Sequence, residues 1–191
     1  MEEKRRNKNA IRSRKMIVNA YIKLISEMPV EKVTVTKIVE RADLNRSTFY
    51  AHFTCPQDVM VSIQNEVVDS FLALMNEIPL GRFLKDPLPL LMRVADFINE
   101  RKEYYKILIS SDRTLGFLEE FKEILINRML EDKETIALAK NPAAIQTNLR
   151  FFVGGYISLF HDWIAGKLNM SLYDMTEMTS KTIAAGVSTF L

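Results

Sequence analysis

Within RADLNRSTFYAHF, residues 41–53, stand a guanidinium (Arg46), two hydroxyls (Ser47 and Thr48), a phenol (Tyr50) and an imidazole (His52), with the small Ala51 among them. Such a set makes hydrogen bonds rather than covalent ones, and it suits a helix that presses its polar side against something charged. The rest of the chain offers little for catalysis. His52 and His161 are the only histidines and Cys55 the only cysteine, which leaves no zinc set. A Ser-His-Asp group can be written around His161, but no serine stands in a nucleophile-elbow motif. Gly154-Gly155 falls mid-helix and not after a strand, so no glycine-rich phosphate loop is present. The expectation is a protein that is not an enzyme and needs no metal or cofactor.

The elements that must position these groups are helical nearly everywhere. Ile17, Tyr21, Leu24 and Met28 step by four, three and four, an amphipathic first helix that Pro29 ends. Thr34 is placed to cap a short second helix, and RSTFYAHF follows after a three-residue turn. A long helix is expected from Gln57 to about Ile78, stopped by Pro79 and Gly81. Further helices are expected near 87–99, 102–109 and 115–139, then from Asn141-Pro142 to about Lys167, with Ser171 capping the last. Sustained period-two alternation is missing, so the fold class is all-α.

Composition and charge narrow the function. With 48% hydrophobic and 26% charged residues, the 191-residue chain has the balance of a soluble globular protein. One cysteine suits a reducing cytosol, MEEKRRNKNAIRSRK holds no apolar signal region, and FFVGGYISLF (151–160) is too short to span a bilayer. A cytoplasmic protein without a membrane partner is expected. Residues 1–60 hold 12 Lys/Arg against 7 Asp/Glu, whereas residues 61–191 hold 14 against 17. A basic first third on a mildly acidic remainder suggests a polyanion-binding end and a body with another task; a solvated basic tail is the plainer alternative.

At about 100° per residue, a helix that turns Phe49 inward places Phe53 about 40° away and Ser47 and Ala51 on the opposite side. Leu44, Phe49 and Phe53 then anchor it to Ile38 and Val39, and the outward face keeps small and hydrogen-bonding groups. Asp43 sits where the chain must reverse, a position that tolerates the left-handed conformation, and Asn45 caps the next helix. Two short helices, a three-residue turn and a thin polar face describe a helix-turn-helix able to enter a major groove.

Thr34 to Phe53, TVTKIVERADLNRSTFYAHF, resembles the DNA-binding signature of the TetR/AcrR family of transcriptional regulators, at Thr34, Ile38, Val39, Ala42, Leu44, Ser47, Thr48, Phe49, Tyr50, His52 and Phe53. The resemblance covers residues 10 to 60; farther on, the helix pattern, the length and the ending GGYISLFHDWIAGKLNMS are similar to the C-terminal domain common in Firmicutes members. It implies a DNA-binding domain over residues 1–56 with three helices, and an effector-binding and dimerisation domain over 57–191. It implies that Thr34, Tyr50 and His52 hold phosphates, that Arg46, Ser47 and Ala51 face base edges, and that Thr48 stands between the two tasks; Thr36 and Asn45 complete the DNA-binding set. Arg46 would pair with guanine and Ala51 would meet a thymine methyl. Cys55-Pro56-Gln57 departs from the family's usual Ser/Asp-Lys-Glu, so a phosphate-binding lysine is missing; Arg5, Arg6, Lys8 and Arg12 are candidates to compensate. Cys55 itself, just before a helix N-terminus, invites a redox role linking oxidation to DNA release, though a small residue tolerated there explains it as well.

The implied function is a ligand-responsive repressor that binds a palindromic operator in double-stranded DNA as a homodimer, its small-molecule effector unidentified. The alternative is a co-activator of the same fold that works through a partner protein. For the effector, a mainly apolar pocket is expected among Tyr104, Tyr105, Arg113, Phe117, Phe121, Phe152 and Tyr156. For the dimer, Ile145, Leu149, Phe152, Tyr156, Leu159 and Trp163 form one stripe that seats its helix on the chain's own core, and Val153, Ile157, Phe160 and Ile164 form a second about 100° around. That second stripe, with Thr179, Ile183, Gly186 and Phe190 of the last helix, is expected to meet a second copy in a four-helix interface, since monomers rarely expose such patches.

Overall fold

The computed structural model describes residues 2–78, 80–109, 114–133, 137 and 141–187. Regular structure among them is helical: α1 (Glu2–Glu27), a 3-10 turn (Val30–Lys32), α2 (Val35–Ala42), α3 (Arg46–Tyr50), α4 (Pro56–Asn76), α5 (Leu80–Lys85), α6 (Leu88–Glu100), α7 (Lys102–Ile109), α8 (Thr114–Leu130), α9 (Pro142–Ile164) and α10 (Leu172–Val187). The fold is all-α, as its periodicity predicts. Contacts divide the chain into two compact units, residues 1–67 and 68–191. That division falls inside α4, beyond residue 56, where the sequence places a boundary.

The first unit follows its sequence signals closely. Ile17, Tyr21 and Leu24 of α1 are buried, together with Ile38 and Val39 of α2. Thr34 caps α2, its hydroxyl accepting from the Lys37 N–H at 3.3 Å. The chain leaves α2 at Asp43, which takes the left-handed conformation with φ 53°, and the Leu44 N–H returns to the Val39 carbonyl at 2.9 Å. A short polar side chain tolerates this geometry better than a branched one. Arg41 reaches back to Glu27 with two parallel bonds of 2.8 and 2.7 Å, and the guanidinium holds the Glu27 carboxyl below its ordinary range. Both side chains are exposed, so the pair orients α2 on α1 more than it stabilises the unit.

Helix α3 is shorter than RSTFYAHF suggests. It ends at Tyr50, and its last turn closes with the His52 and Phe53 N–H groups both donating to the Phe49 carbonyl, at 2.9 and 3.0 Å. That closure brings Phe53 beside Phe49, with ring centroids 5.9 Å apart. Thr54 then donates from its N–H (2.9 Å) and from its hydroxyl to the Asp58 carboxylate, fixing the entry to α4 and lowering the Asp58 pKa.

In the second unit α10 packs on α6 and α9, and α9 packs on α8. The starts of the last two helices are those expected: Asn141 accepts from the Ala143 N–H at 3.0 Å, with Pro142 in the first turn, and Ser171 accepts from the Asp174 N–H at 3.0 Å while its hydroxyl donates to the Asp174 carboxylate at 2.7 Å. Gly166, with φ +73°, ends α9, and the Lys167 N–H closes the turn on the Asp162 carbonyl at 2.9 Å. Two expectations fail here. Helix α5 has no counterpart among the helices the sequence pattern predicts, and Gly81, expected to help stop the preceding helix, lies within it. The segment expected as one helix over 115–139 is helical from Thr114 to Leu130, with residues 134–136 and 138–140 outside the described set.

Candidate nucleic-acid interface

The first unit presents one face of α3 outward. Phe49, fully buried, and Phe53 are its anchors, while Arg46, Ser47 and Ala51 are exposed and Tyr50 is 58% exposed. Asn45 organises the start of the helix. Its Oδ1 accepts from the Thr48 N–H at 2.7 Å, the Ser47 hydroxyl at 2.7 Å and the Thr48 hydroxyl at 2.8 Å. Arg46 is steered from α2, its Nη2 donating to the Thr36 hydroxyl at 2.7 Å. The residues named from the sequence at 34, 36, 45–48 and 50–52 therefore lie on a single helix-turn-helix, with Thr34 and Thr36 contributed by the start of α2.

His52 has a partner in the chain. Its Nε2 lies 2.8 Å from the Ser13 hydroxyl of α1, and that hydroxyl also lies 3.0 Å from the Asn9 carbonyl and 3.1 Å from that of Ala10. The imidazole tautomer sets which of the two atoms donates. Arg14, a residue on, lies over the Phe53 ring at 5.6 Å. Sequence reasoning missed Ser13, Arg14 and the Thr36–Arg46 bond. Long-range pairs of this kind leave no local pattern, although Ser13 and Arg14 lie on the amphipathic helix that the pattern located.

In the second unit the residues expected at an effector site fall into two sets. Tyr104 and Tyr105 are 5.5 Å apart at their ring centroids, Phe117 and Phe121 5.9 Å. Phe71 and Phe97, unnamed in that expectation, join them: Phe71 meets Phe121 at 5.0 Å and Phe97 at 5.3 Å, and Phe97 meets Tyr105 at 6.0 Å. Phe152 and Tyr156 instead pack on the core built around Leu90, Leu149 and Ile183. The Tyr156 hydroxyl lies 3.1 Å from that of the buried Thr176, and burial pushes its pKa up. Arg113 lies outside the described residues.

Several residues expected at a dimer interface are covered within the chain itself. Ile183, 4% exposed, lies in the unit's own core; Phe160 and Ile164 are buried, and Val153, Ile157 and Thr179 are half-buried. A Cβ on Gly186 would overlap the Phe152 ring, so this glycine admits a side chain of its own chain. Phe190 lies outside the described residues. The large apolar and aromatic side chains that α9 and α10 expose are Phe151 (71%), Leu159 (38%), Tyr173 (39%) and Met178 (61%), with open space over Gly155. Leu159, expected to face the chain's own core, is thus exposed, and Phe160, expected at the interface, is buried. A 23-residue helix with two apolar stripes leaves its rotation undetermined until α7, α8 and α10 pack against it.

A helix-turn-helix with its polar face outward, followed by an all-helical unit, defines a class of DNA-binding regulators. Residues 17–54 match the family described as bacterial regulatory proteins, tetR family, and residues 85–185 match the one described as transcriptional regulator C-terminal region. The chain belongs to the TetR family of transcriptional regulators. Among solved structures it is similar to the dihydroxyacetone kinase operon activator DhaS, at 18% identity and TM-score 0.68 over 94% of this chain and 98% of that one. It is similar also to NalD, the secondary repressor of the MexAB-OprM multidrug efflux pump in Pseudomonas aeruginosa (18%, TM-score 0.66, 94% and 97%). A tetR-family regulator from Streptomyces coelicolor aligns at 16% identity and TM-score 0.65, over 93% and 81%. Identities this low carry the fold alone. The comparison with curated proteins finds no match. Among the described residues no helix is long and apolar enough to cross a membrane.

Proposed function

We propose that this TetR-family regulator is a ligand-responsive repressor that binds a palindromic operator as a homodimer. The supporting observation is the outward face of α3, where Arg46, Ser47, Tyr50 and Ala51 are exposed above the Phe49–Phe53 anchor. Arg46 carries donors that match guanine O6 and N7, and Ala51 offers a methyl to thymine. Thr34 and Tyr50, with the exposed Lys8 and Arg12 of α1, supply phosphate contacts that position the helix without reading sequence. Two copies related by a two-fold axis present two such helices, hence an inverted repeat.

The fold is shared by the repressor NalD and by the activator DhaS alike, so the sign of regulation proposed here rests on the family resemblance. The effector would act on the aromatic cluster of Phe71, Phe97, Tyr105 and Phe121. Phe71 belongs to α4, the helix shared by both units, so a ligand that prefers one arrangement of these rings would bias α4 and with it the DNA-binding unit.

Arg46→Ala is expected to cost about 1–3 kcal/mol on the selected operator and to relax preference at one base pair, whereas Tyr50→Phe weakens every duplex alike. Fluorescence anisotropy on the operator and its single-substitution variants separates the two patterns. Uniform weakening by Arg46→Ala would remove its base-reading role. A protein that binds no duplex selectively would instead favour the co-activator working through a partner protein.

A further inference from the structure

We infer that the first turn of α3 reads a guanine and, on a neighbouring base pair, the strand that carries the amino-bearing base (adenine or cytosine rather than guanine or thymine), because Asn45 turns the Ser47 proton inward and leaves this hydroxyl able only to accept. The inference rests on the DNA-binding role proposed above and specifies which bases that face takes. The identity of the Asn45 atom is settled by its backbone partner: the Thr48 N–H can only donate, so the atom 2.7 Å from it is the carbonyl oxygen. A carbonyl cannot donate. The Ser47 and Thr48 hydroxyls at 2.7 and 2.8 Å must therefore give it their protons, and each has only one to give. Only lone pairs then face outward. In the major groove the partners for a lone pair are the adenine N6 and cytosine N4 amino groups, whereas guanine O6 and N7 and thymine O4 need a donor.

Phosphate oxygens accept as well, so a Thr48 hydroxyl bound in this way is no phosphate clamp. Thr48 is half-buried and Ser47 exposed, which makes Ser47 the reader. Its neighbour has the opposite polarity. Arg46 spends one Nη2 proton on Thr36 and keeps its remaining donors for guanine. Adjacent residues thus present a donor and an acceptor, and Thr36 and Asn45 are the positioning residues that set this order.

The test starts from the full chain and a randomised duplex pool, from which the preferred half-site is selected. Each base of that half-site is then replaced by an analogue lacking one group: purine for adenine, 2-pyrimidinone for cytosine, 7-deazaguanine for guanine. Loss of one amino group is expected to weaken the wild-type protein about fivefold at a single position, and Ser47→Ala to erase that sensitivity. Asn45→Gly, which spares most of the helix start, frees both protons; it should lose the preference for an amino-bearing base there and keep the guanine preference that Arg46 confers. The inference is overturned if Ser47→Ala changes the response to 7-deazaguanine instead, or if wild type binds the amino-deleted duplexes as tightly as the parent. Should no sequence be enriched at all, the operator-binding role falls, and this inference with it.

Discussion

Phe151→Asp combined with Met178→Asp is expected to give a folded monomer that no longer holds its operator. Phe151 on α9 is 71% and Met178 on α10 61% exposed, and Gly155 and Leu159 follow Phe151 at four-residue spacing along one side of α9. Each such side chain contributes about 1.5–3 kcal/mol when buried, and a two-fold interface buries each of them twice. The double substitution therefore removes on the order of 6 kcal/mol or more, about four orders of magnitude in the dimer dissociation constant, before the cost of facing carboxylates is counted. Because both positions are exposed in the single chain, helix content should be unchanged. Sedimentation of the variant as a dimer would show that copies meet elsewhere. Ile183→Asp is no substitute probe, since it places a charge in the unit's own core.

Phe49→Ala is expected to abolish DNA binding by unfolding the helix-turn-helix. Phe49 is fully buried and packs edge-on against Tyr50, at 5.6 Å between centroids, and against Phe53. Truncating a buried phenylalanine costs about 3–5 kcal/mol, which is much of the stability of a domain this small. The second unit has its own reporter. Trp163, the only tryptophan, donates to the Met170 carbonyl at 3.0 Å beneath the Lys102 ammonium. In the variant, circular dichroism should lose an early share of helix while the Trp163 fluorescence transition stays in place. Wild-type melting by both probes would mean that the Phe49 site relaxes around the missing ring.

The first unit was legible because its determinants are local. A cap at Thr34, a left-handed Asp43, a cap at Asn45 and apolar spacing each act within one turn of chain, and each appears where the sequence places it. What stayed hidden were side-chain bonds between elements, such as His52 to Ser13 and Arg46 to Thr36, because nothing local encodes them. The second unit was legible in its helices and not in their rotation. Both stripes of α9 are apolar, so periodicity could not say that Phe160 turns in while Phe151 and Leu159 turn out. Gly186 shows the same limit: small size predicts a close approach, and only packing shows that Phe152 makes it.

The most direct test of the central claim is competition binding of the full chain to its selected inverted repeat against random duplex at about 150 mM salt, repeated as salt is raised. Sequence-specific docking of two recognition helices predicts a preference of about a thousandfold or more for the selected repeat, with affinity falling steeply as counterions are released. Equal affinity for the selected repeat and the random duplex would contradict it.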